Sequence, residues 1–335
     1  MTMNDTPIAM TNAPTHGGGD QSLGQHQDAS WYGKRLVLKL QLAKQVHDNE
    51  KDGIDTSAIV YDITDNKPIF SHDVNYEHYA ASVSKLFVTS LLLEDLRAGK
   101  TTLDTQVSWD ASDRRAGAGV YDSSTSPLTG TVRDVLFDML NHSGNTAVRI
   151  IVNKVLGGAD AVNQRYASEY PNLKVTKLQP VAGTSGFLLG YTTANETNFI
   201  LDKLYNQNDA YGAFVKNALA TNIFDDYGPR SQVKDKENIK VIDKQGQLND
   251  PEGNNRHDVG VIENAKNGHK LRYVLMTTNY EQPAGAITNE ATASLQAFGR
   301  DMLRFEGDRA PKPNEQQNSL KGQTAPTVEN GRTVY

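Results

Sequence analysis

Strand-forming patterns occupy the two ends of this sequence, and almost every periodic segment between them is helical. Near the front, Ser57 to Ile63 reads as a strand, Asp65-Asn66 as a turn and Pro68 to Ser71 as the hairpin partner. Near the back, Asp258 to Ile262 and Leu271 to Thr277 flank a turn at Asn267-Gly268. A helix precedes the first hairpin, with Leu36, Leu40, Ala43 and Val46 at helical spacing before an Asp52-Gly53 stop. Another follows the second hairpin and puts Ala291, Leu295, Phe298, Met302 and Phe305 on one face. The simplest fold that satisfies this pattern is α+β (broadly α/β), an antiparallel sheet built from both chain ends with an all-helical lobe inserted. The expected boundaries are 34–80 and 228–306 for the sheet lobe and 81–227 for the helical lobe. Polar segments at 1–33 and 307–335 have the composition of disordered tails. Such a fold has a natural cleft between sheet and lobe, where ligand sites tend to lie.

The length of 335 residues suits two ordinary domains or one domain of two lobes. Lys+Arg 34 against Asp+Glu 40 gives a net charge of -6 with no long basic run, which argues against a nucleic-acid partner. With Cys 0 there is no disulfide, thiolate zinc site, iron–sulfur cluster or cysteine nucleophile. The histidines show no ligand spacing and no glycine-rich phosphate loop opens a helix, so neither a metal nor an organic cofactor is expected. No segment is apolar enough to span a bilayer, and the first thirty residues hold no stretch fit for a signal-peptide core.

Three short constellations carry chemistry. Ala81-Ser82-Val83-Ser84-Lys85 leads into LFVTSLLLEDLRAG, a helix apolar on most sides. Ser82 and Lys85 are three apart, so on a first helical turn they face the same way. Serine is a poor nucleophile until a base takes its proton, and lysine is that base only when its pKa falls well below its usual value. The second is Asn141-His142-Ser143-Gly144-Asn145, after a capping-box start at Thr131-Val132-Arg133-Asp134, where Ser143 and Asn145 can both point into a cleft. The third is Lys244-Gln245-Gly246 at the end of an expected strand, Ile239 to Asp243, where a glycine admits a substrate to the strand edge. Taken singly, each also fits a helix cap, an interhelical turn or a surface lysine.

In this order the three resemble the S-x-x-K, S-D-N and K-T-G set of class A β-lactamases and penicillin-binding proteins. Glu94 to Lys100, Thr102-Leu103-Asp104, Thr192-Thr193-Ala194 and Arg256 to Val261 also fall where that family has corresponding segments, and the resemblance spans about residues 35 to 305. It implies a serine acyl-enzyme hydrolase with Ser82 as nucleophile, Lys85 as its base, Ser143 as proton relay and Asn145 orienting lysine and substrate. It further implies that Lys244 meets a substrate carboxylate and that the amides of Ser82 and Gln247 hold the oxyanion, Gln245 and Gly246 lining the same strand. Tyr121 would border the cleft mouth, and Arg230 would either add charge near that carboxylate or sit on the surface. A triad built on His142 is disfavoured because Lys85 already supplies a base. The implied partner is a small-molecule β-lactam or a peptidoglycan peptide, the expected state a monomer. The family's setting is periplasmic or secreted, while the sequence leaves cytoplasmic residence open.

Three departures bear on activity. Gly144 stands where class A enzymes usually carry Asp, and Gln245 replaces a small hydroxyl residue. The interval Lys177 to Tyr191 holds no acidic residue, although the family's deacylating glutamate lies on the loop before the Thr-Thr helix start. Glu169 precedes that interval and Glu196 follows it, the latter in a first helical turn where an acid serves the helix end. Three readings remain open at this point: a β-lactamase-like hydrolase with slow deacylation, a D-Ala-D-Ala carboxypeptidase, transpeptidase or esterase of the same chemistry, and a non-catalytic domain that binds β-lactams or cell-wall fragments.

Overall fold

The structure is a computed structural model that describes residues 25–123, 129–184, 186–233, 236–250, 253–280, 289–307, 328–329 and 332–333. Its centre is a five-stranded antiparallel sheet formed by β1 (Ile54–Asp62), β2 (Lys67–His72), β3 (Ile239–Asp250), β4 (Gly253–Asn264) and β5 (Lys270–Asn279). The order is β2-β1-β5-β4-β3, so the two chain ends meet where β1 pairs β5, Ile59 opposite Val274. This is the expected α+β architecture.

Both sheet faces are covered, which is why the strands read as nearly continuous apolar runs. Ala58 and Val60 of β1, with Tyr273 and Leu275 of β5, face one core with Leu38, Leu42 and Val46 of α1 (Gln25–Lys51) and Leu295, Phe298 and Met302 of α8 (Asn289–Gly307). The alternate residues, Ile59, Val259, Val261, Val274 and Met276, face the helical lobe. At the heart of that lobe lies α2 (Ser84–Arg97), buried almost all round. Packed about it are α3 (Val132–Asn141), α4 (Asn145–Ile150), α5 (Ala159–Glu169), α6 (Ala194–Tyr205) and α7 (Ala210–Ala220).

Two local expectations change. The first helix starts at Gln25, inside the stretch expected to be a tail, and it buries Leu38, Leu42 and Val46 while Leu36 and Leu40 stay exposed. Leucines at 36, 38, 40 and 42 satisfy helical spacing in two frames, and packing against α8 selects the second. The strand expected to end at Asp243 runs on to Asp250, so Lys244-Gln245-Gly246 lies mid-strand on the sheet edge. Lys244 and Gln245 hide the strand because their side chains also bond outside the sheet, to Ser143 and to the Tyr227 carbonyl. The rest of the N-terminal tail, and most of the C-terminal one, lie outside the described residues; Val328–Glu329 and Arg332–Thr333 within the latter form a small antiparallel pair.

Candidate active site

Ser82 sits in a single 3-10 turn, Ala81–Val83, that feeds directly into α2. Ala81 has φ 44, a left-handed conformation that costs a residue with a Cβ about 1–2 kcal/mol. The turn is held by the Ser84 hydroxyl donating to the Ala81 carbonyl at 2.8 Å and by Ala80 N–H donating to Gly190 O at 2.8 Å. Lys85, one residue inside α2, is fully buried, and its Nζ lies 2.9 Å from Ser82 Oγ. Nζ also lies within hydrogen-bonding distance of Ser143 O at 2.6 Å, Ser143 Oγ at 3.2 Å and Asn145 Oδ1 at 2.9 Å. Burial, and then the charge of Lys244, push the Lys85 pKa well below its usual value. A neutral amine so placed has a lone pair available for the Ser82 proton.

Ser143 presents both its groups inward because its backbone is left-handed, φ 58, between α3 and α4. Its hydroxyl bridges the two lysines, accepting also from Lys244 Nζ at 2.8 Å. Lys244 is buried and bonds Gln245 O at 2.8 Å, and burial lowers its pKa to about 7. Gly246 permits this approach of the edge strand, since a Cβ there would lie 3.1 Å from Val83 Cγ2 and 3.4 Å from Val83 N. The Gln245 amide turns back to the Tyr227 carbonyl at 3.0 Å.

Asn145 opens α4 and donates from Nδ2 to Ala116 O at 2.8 Å. Its backbone N–H goes to Asp122 Oδ2 at 3.1 Å, and the same carboxylate accepts Thr146 N–H at 2.7 Å and Gly119 N–H at 2.9 Å. Asp122 thus supplies from a distant loop the cap that Gly144 cannot give. A second carboxylate that sequence reading missed, Asp138 on α3, accepts Val120 N–H at 2.7 Å and lies where a side chain at 144 would go. Burial raises the Asp138 pKa. Neither acid was legible from the sequence as part of the site, because the contacts that join it there span 23 residues for Asp122 to Asn145 and 18 for Asp138 to Val120.

Two cavities meet at Ser82. One of about 460 Å³ is lined by Ser143, Phe224, Tyr227 and Gln245, the other of about 320 Å³ by Tyr79, Arg115, Arg149, Phe187, Leu188 and Leu189; Ser82, Asn145, Gln247 and Leu248 belong to both. No carboxylate lines either cavity among the described residues. Glu196 binds the N–H groups of Lys174, Val175 and Thr176 and the Thr176 hydroxyl, and Glu169 pairs with Arg165 at 2.7 Å, so both acids near the loop are engaged structurally.

Tyr121, His142 and Arg230 lie outside the two cavities at Ser82. Tyr121 packs edge-on against Trp109, ring centroids 4.7 Å apart, and lines a separate cavity together with His142. His142 Nδ1 faces Asp138 Oδ1 at 3.3 Å. Arg230 is neither on the surface nor at the cleft: it clamps Asp243 and the carbonyls of Leu219, Ala220 and Val241. Among the described residues no group of three or more His, Asp or Glu could hold a metal, and no helix is long and apolar enough to cross a membrane.

A buried lysine poised on a serine at the mouth of a helical lobe, beside a second serine and an edge strand, defines the serine β-lactamase and penicillin-binding class of fold. The chain belongs to the beta-lactamase enzyme family, whose model matches residues 38–304. No curated protein sequence matches it. Similar solved structures include a beta-lactamase from Sphaerobacter thermophilus DSM 20745, at 20% identity and TM-score 0.66, covering 81% of this chain and 98% of the other. PBP-A is similar at 15% identity and TM-score 0.67, covering 81% and 96%. A beta lactamase from Xanthomonas campestris pv. campestris str. ATCC 33913 stands at 17% identity and TM-score 0.66, covering 82% and 99%.

Proposed function

We propose that this protein is a serine hydrolase that opens β-lactam amides through an acyl-enzyme at Ser82 and releases the acyl group slowly. The observation that carries this is the Lys85 amine, buried and bonded at once to Ser82, Ser143 and Asn145. In the proposed reaction Ser82 Oγ attacks the lactam carbonyl while Lys85 takes its proton. The tetrahedral oxyanion lies between the amides of Ser82 and Gln247; one such donor is worth roughly 2.7–4 kcal/mol in the transition state. Collapse breaks the C–N bond, and Ser143, with Lys85 and Lys244 on its hydroxyl, hands a proton to the leaving nitrogen. The Lys244 ammonium and the side of the cavity lined by Gln245 would receive the substrate carboxylate.

That no carboxylate among the described residues lines either cavity supports slow release, because water attacking the ester needs a group to take its proton. The same observation favours a second reading, a penicillin-binding carboxypeptidase or transpeptidase of the same chemistry. An intact-mass time course with benzylpenicillin, for wild type and Ser82→Ala, separates these. A wild-type adduct that decays with continuing antibiotic consumption is expected of the hydrolase, and one that persists is expected of the penicillin-binding enzyme. An adduct of equal yield on Ser82→Ala would refute both.

A further inference from the structure

The second cavity at Ser82 is lined by two guanidiniums and, among the described residues, by no acid. Arg149, 3% exposed, gives Nη1 to Ser112 O at 3.2 Å, while its buried Nη2 has no hydrogen-bond partner among the described residues. Arg115, exposed at the rim, bonds only weakly from Nη1 to the neighbouring Arg114 carbonyl at 3.4 Å. The two converge: a Cβ on Gly186 would lie 2.6 Å from Arg149 Nη2 and 3.7 Å from Arg115 Nη2. Asp113, the acid that acts most on Arg149, is itself engaged by Lys154 Nζ at 3.1 Å and Asn153 Nδ2 at 3.4 Å. Phe187 fixes the Arg149 guanidinium, which lies 5.7 Å from its ring centroid. Two like charges gathered in a cavity with no acid lining it among the described residues raise the energy of the free protein, and an anion between them would lower it.

The position of this cavity says which part of a ligand enters it. Ser143, the proton relay in the proposed reaction, lines the other cavity, so the leaving group departs on that side. The acyl group attached to Ser82 must then extend toward Arg115 and Arg149. We propose that this cavity is an anion subsite and that the protein prefers substrates carrying a carboxylate on the acyl side of the scissile amide, in addition to the one on the leaving side. This inference rests on the acyl-enzyme reading above and names the substrate class of that site.

Benzylpenicillin and carbenicillin share a nucleus and differ by one carboxylate on the acyl side chain, which makes them the probes. Second-order acylation rates are measured by intact mass for wild type, Arg115→Ala and Arg115→Glu at low and at raised ionic strength. The wild type is expected to favour carbenicillin by about tenfold, the scale of one charge-assisted hydrogen bond, with salt reducing the ratio. The ratio should fall toward one in Arg115→Ala and invert in Arg115→Glu; since Arg115 is exposed, neither change threatens folding. A wild-type ratio of one or less, or a ratio untouched by Arg115→Glu, would overturn the subsite while leaving the acyl-enzyme intact. Absence of any adduct with either penicillin would overturn both.

Discussion

Adding one methyl group at Gly144 tests the packing beneath Ser143 and Asn145. The backbone there, φ -54 and ψ 123, is open to any residue, so on conformational grounds alone Gly144→Ala should stabilise the protein by about 0.4–1 kcal/mol. Packing says the opposite. The new Cβ would lie 2.2 Å from Asp138 Oδ2 and 3.0 Å from Ala147 Cβ, where ordinary contact starts at 3.4 Å. The carboxylate cannot swing freely, because Asp138 is buried, its Oδ1 holds Val120 N–H at 2.7 Å, and its Oδ2 would also lie 2.8 Å from a Cβ on Gly119. Overpacking at about 1–3 kcal/mol and one orphaned buried donor at about 1–3 kcal/mol outweigh the entropy gain, giving a net loss of about 2–5 kcal/mol. Urea unfolding with the slope monitored reads this directly. The double variant Asp138→Ala/Gly144→Ala should recover more than about 1 kcal/mol relative to additivity, since removing the carboxylate opens the space. A Gly144→Ala protein as stable as wild type at unchanged slope, or an additive cycle, would refute the account. The same geometry explains why the family's aspartate is missing: a side chain at 144 competes with Asp138 for one site.

Three further outcomes follow from the titrating and committed groups. Acylation should fall as pH rises through about 7 and Lys244 loses its charge; Lys244→Arg should remove this alkaline limb, and a limb that stays would exclude Lys244 as its source. Glu196→Gln should cost about 1–3 kcal/mol by weakening its hold on Lys174 to Thr176, with the acyl adduct's half-life unchanged; a longer half-life would instead make Glu196 the deacylating base. Burial and the Asp62 charge push Glu306 up to about 9, so between its unfolded value of roughly 4.3 and that point the native state holds a proton the unfolded chain has lost. Stability should therefore be full below that window and decline as pH rises through it. Glu306→Gln should flatten the decline in thermal scans from pH 5 to 9, and an unaltered slope would count against the assignment.

What the sequence revealed about this site depended on the range over which each residue acts. Ser82 and Lys85 were legible because three residues on one turn fix their relation, and the contact at 2.9 Å follows from that spacing. Ser143 and Asn145 were legible as a tight turn between helices, and Lys244 only by its order after the other two. Asp122 and Asp138 were not legible at the site, since the contacts that tie them to it are long-range, 23 residues for Asp122 to Asn145 and 18 for Asp138 to Val120. Tyr121 was placed by resemblance alone, and its ring turned to Trp109 because a buried aromatic neighbour offers more contact than the cleft rim. The front helix shows the limit from the other side: its leucines fit two helical frames, and α8 decided between them.

Charge around Ser82 bears unequally on the two halves of the proposed reaction. Lys244, Arg115 and Arg149, joined by Lys85 once it has taken the Ser82 proton, lie about the place where an oxyanion would form, and a positive field favours that anion whether serine or water is attacking. Proton transfer is not symmetrical in this way. The Ser82 proton has Lys85 within 2.9 Å, but water arriving from the acyl-side cavity meets guanidiniums, which accept no proton at any ordinary pH. The nearby carboxylates, Asp122 and Asp138, face the loop N–H groups instead. In the proposed reaction the field therefore helps both steps and the proton acceptor helps one, so accumulation of the acyl-enzyme is the outcome expected from where the bases stand.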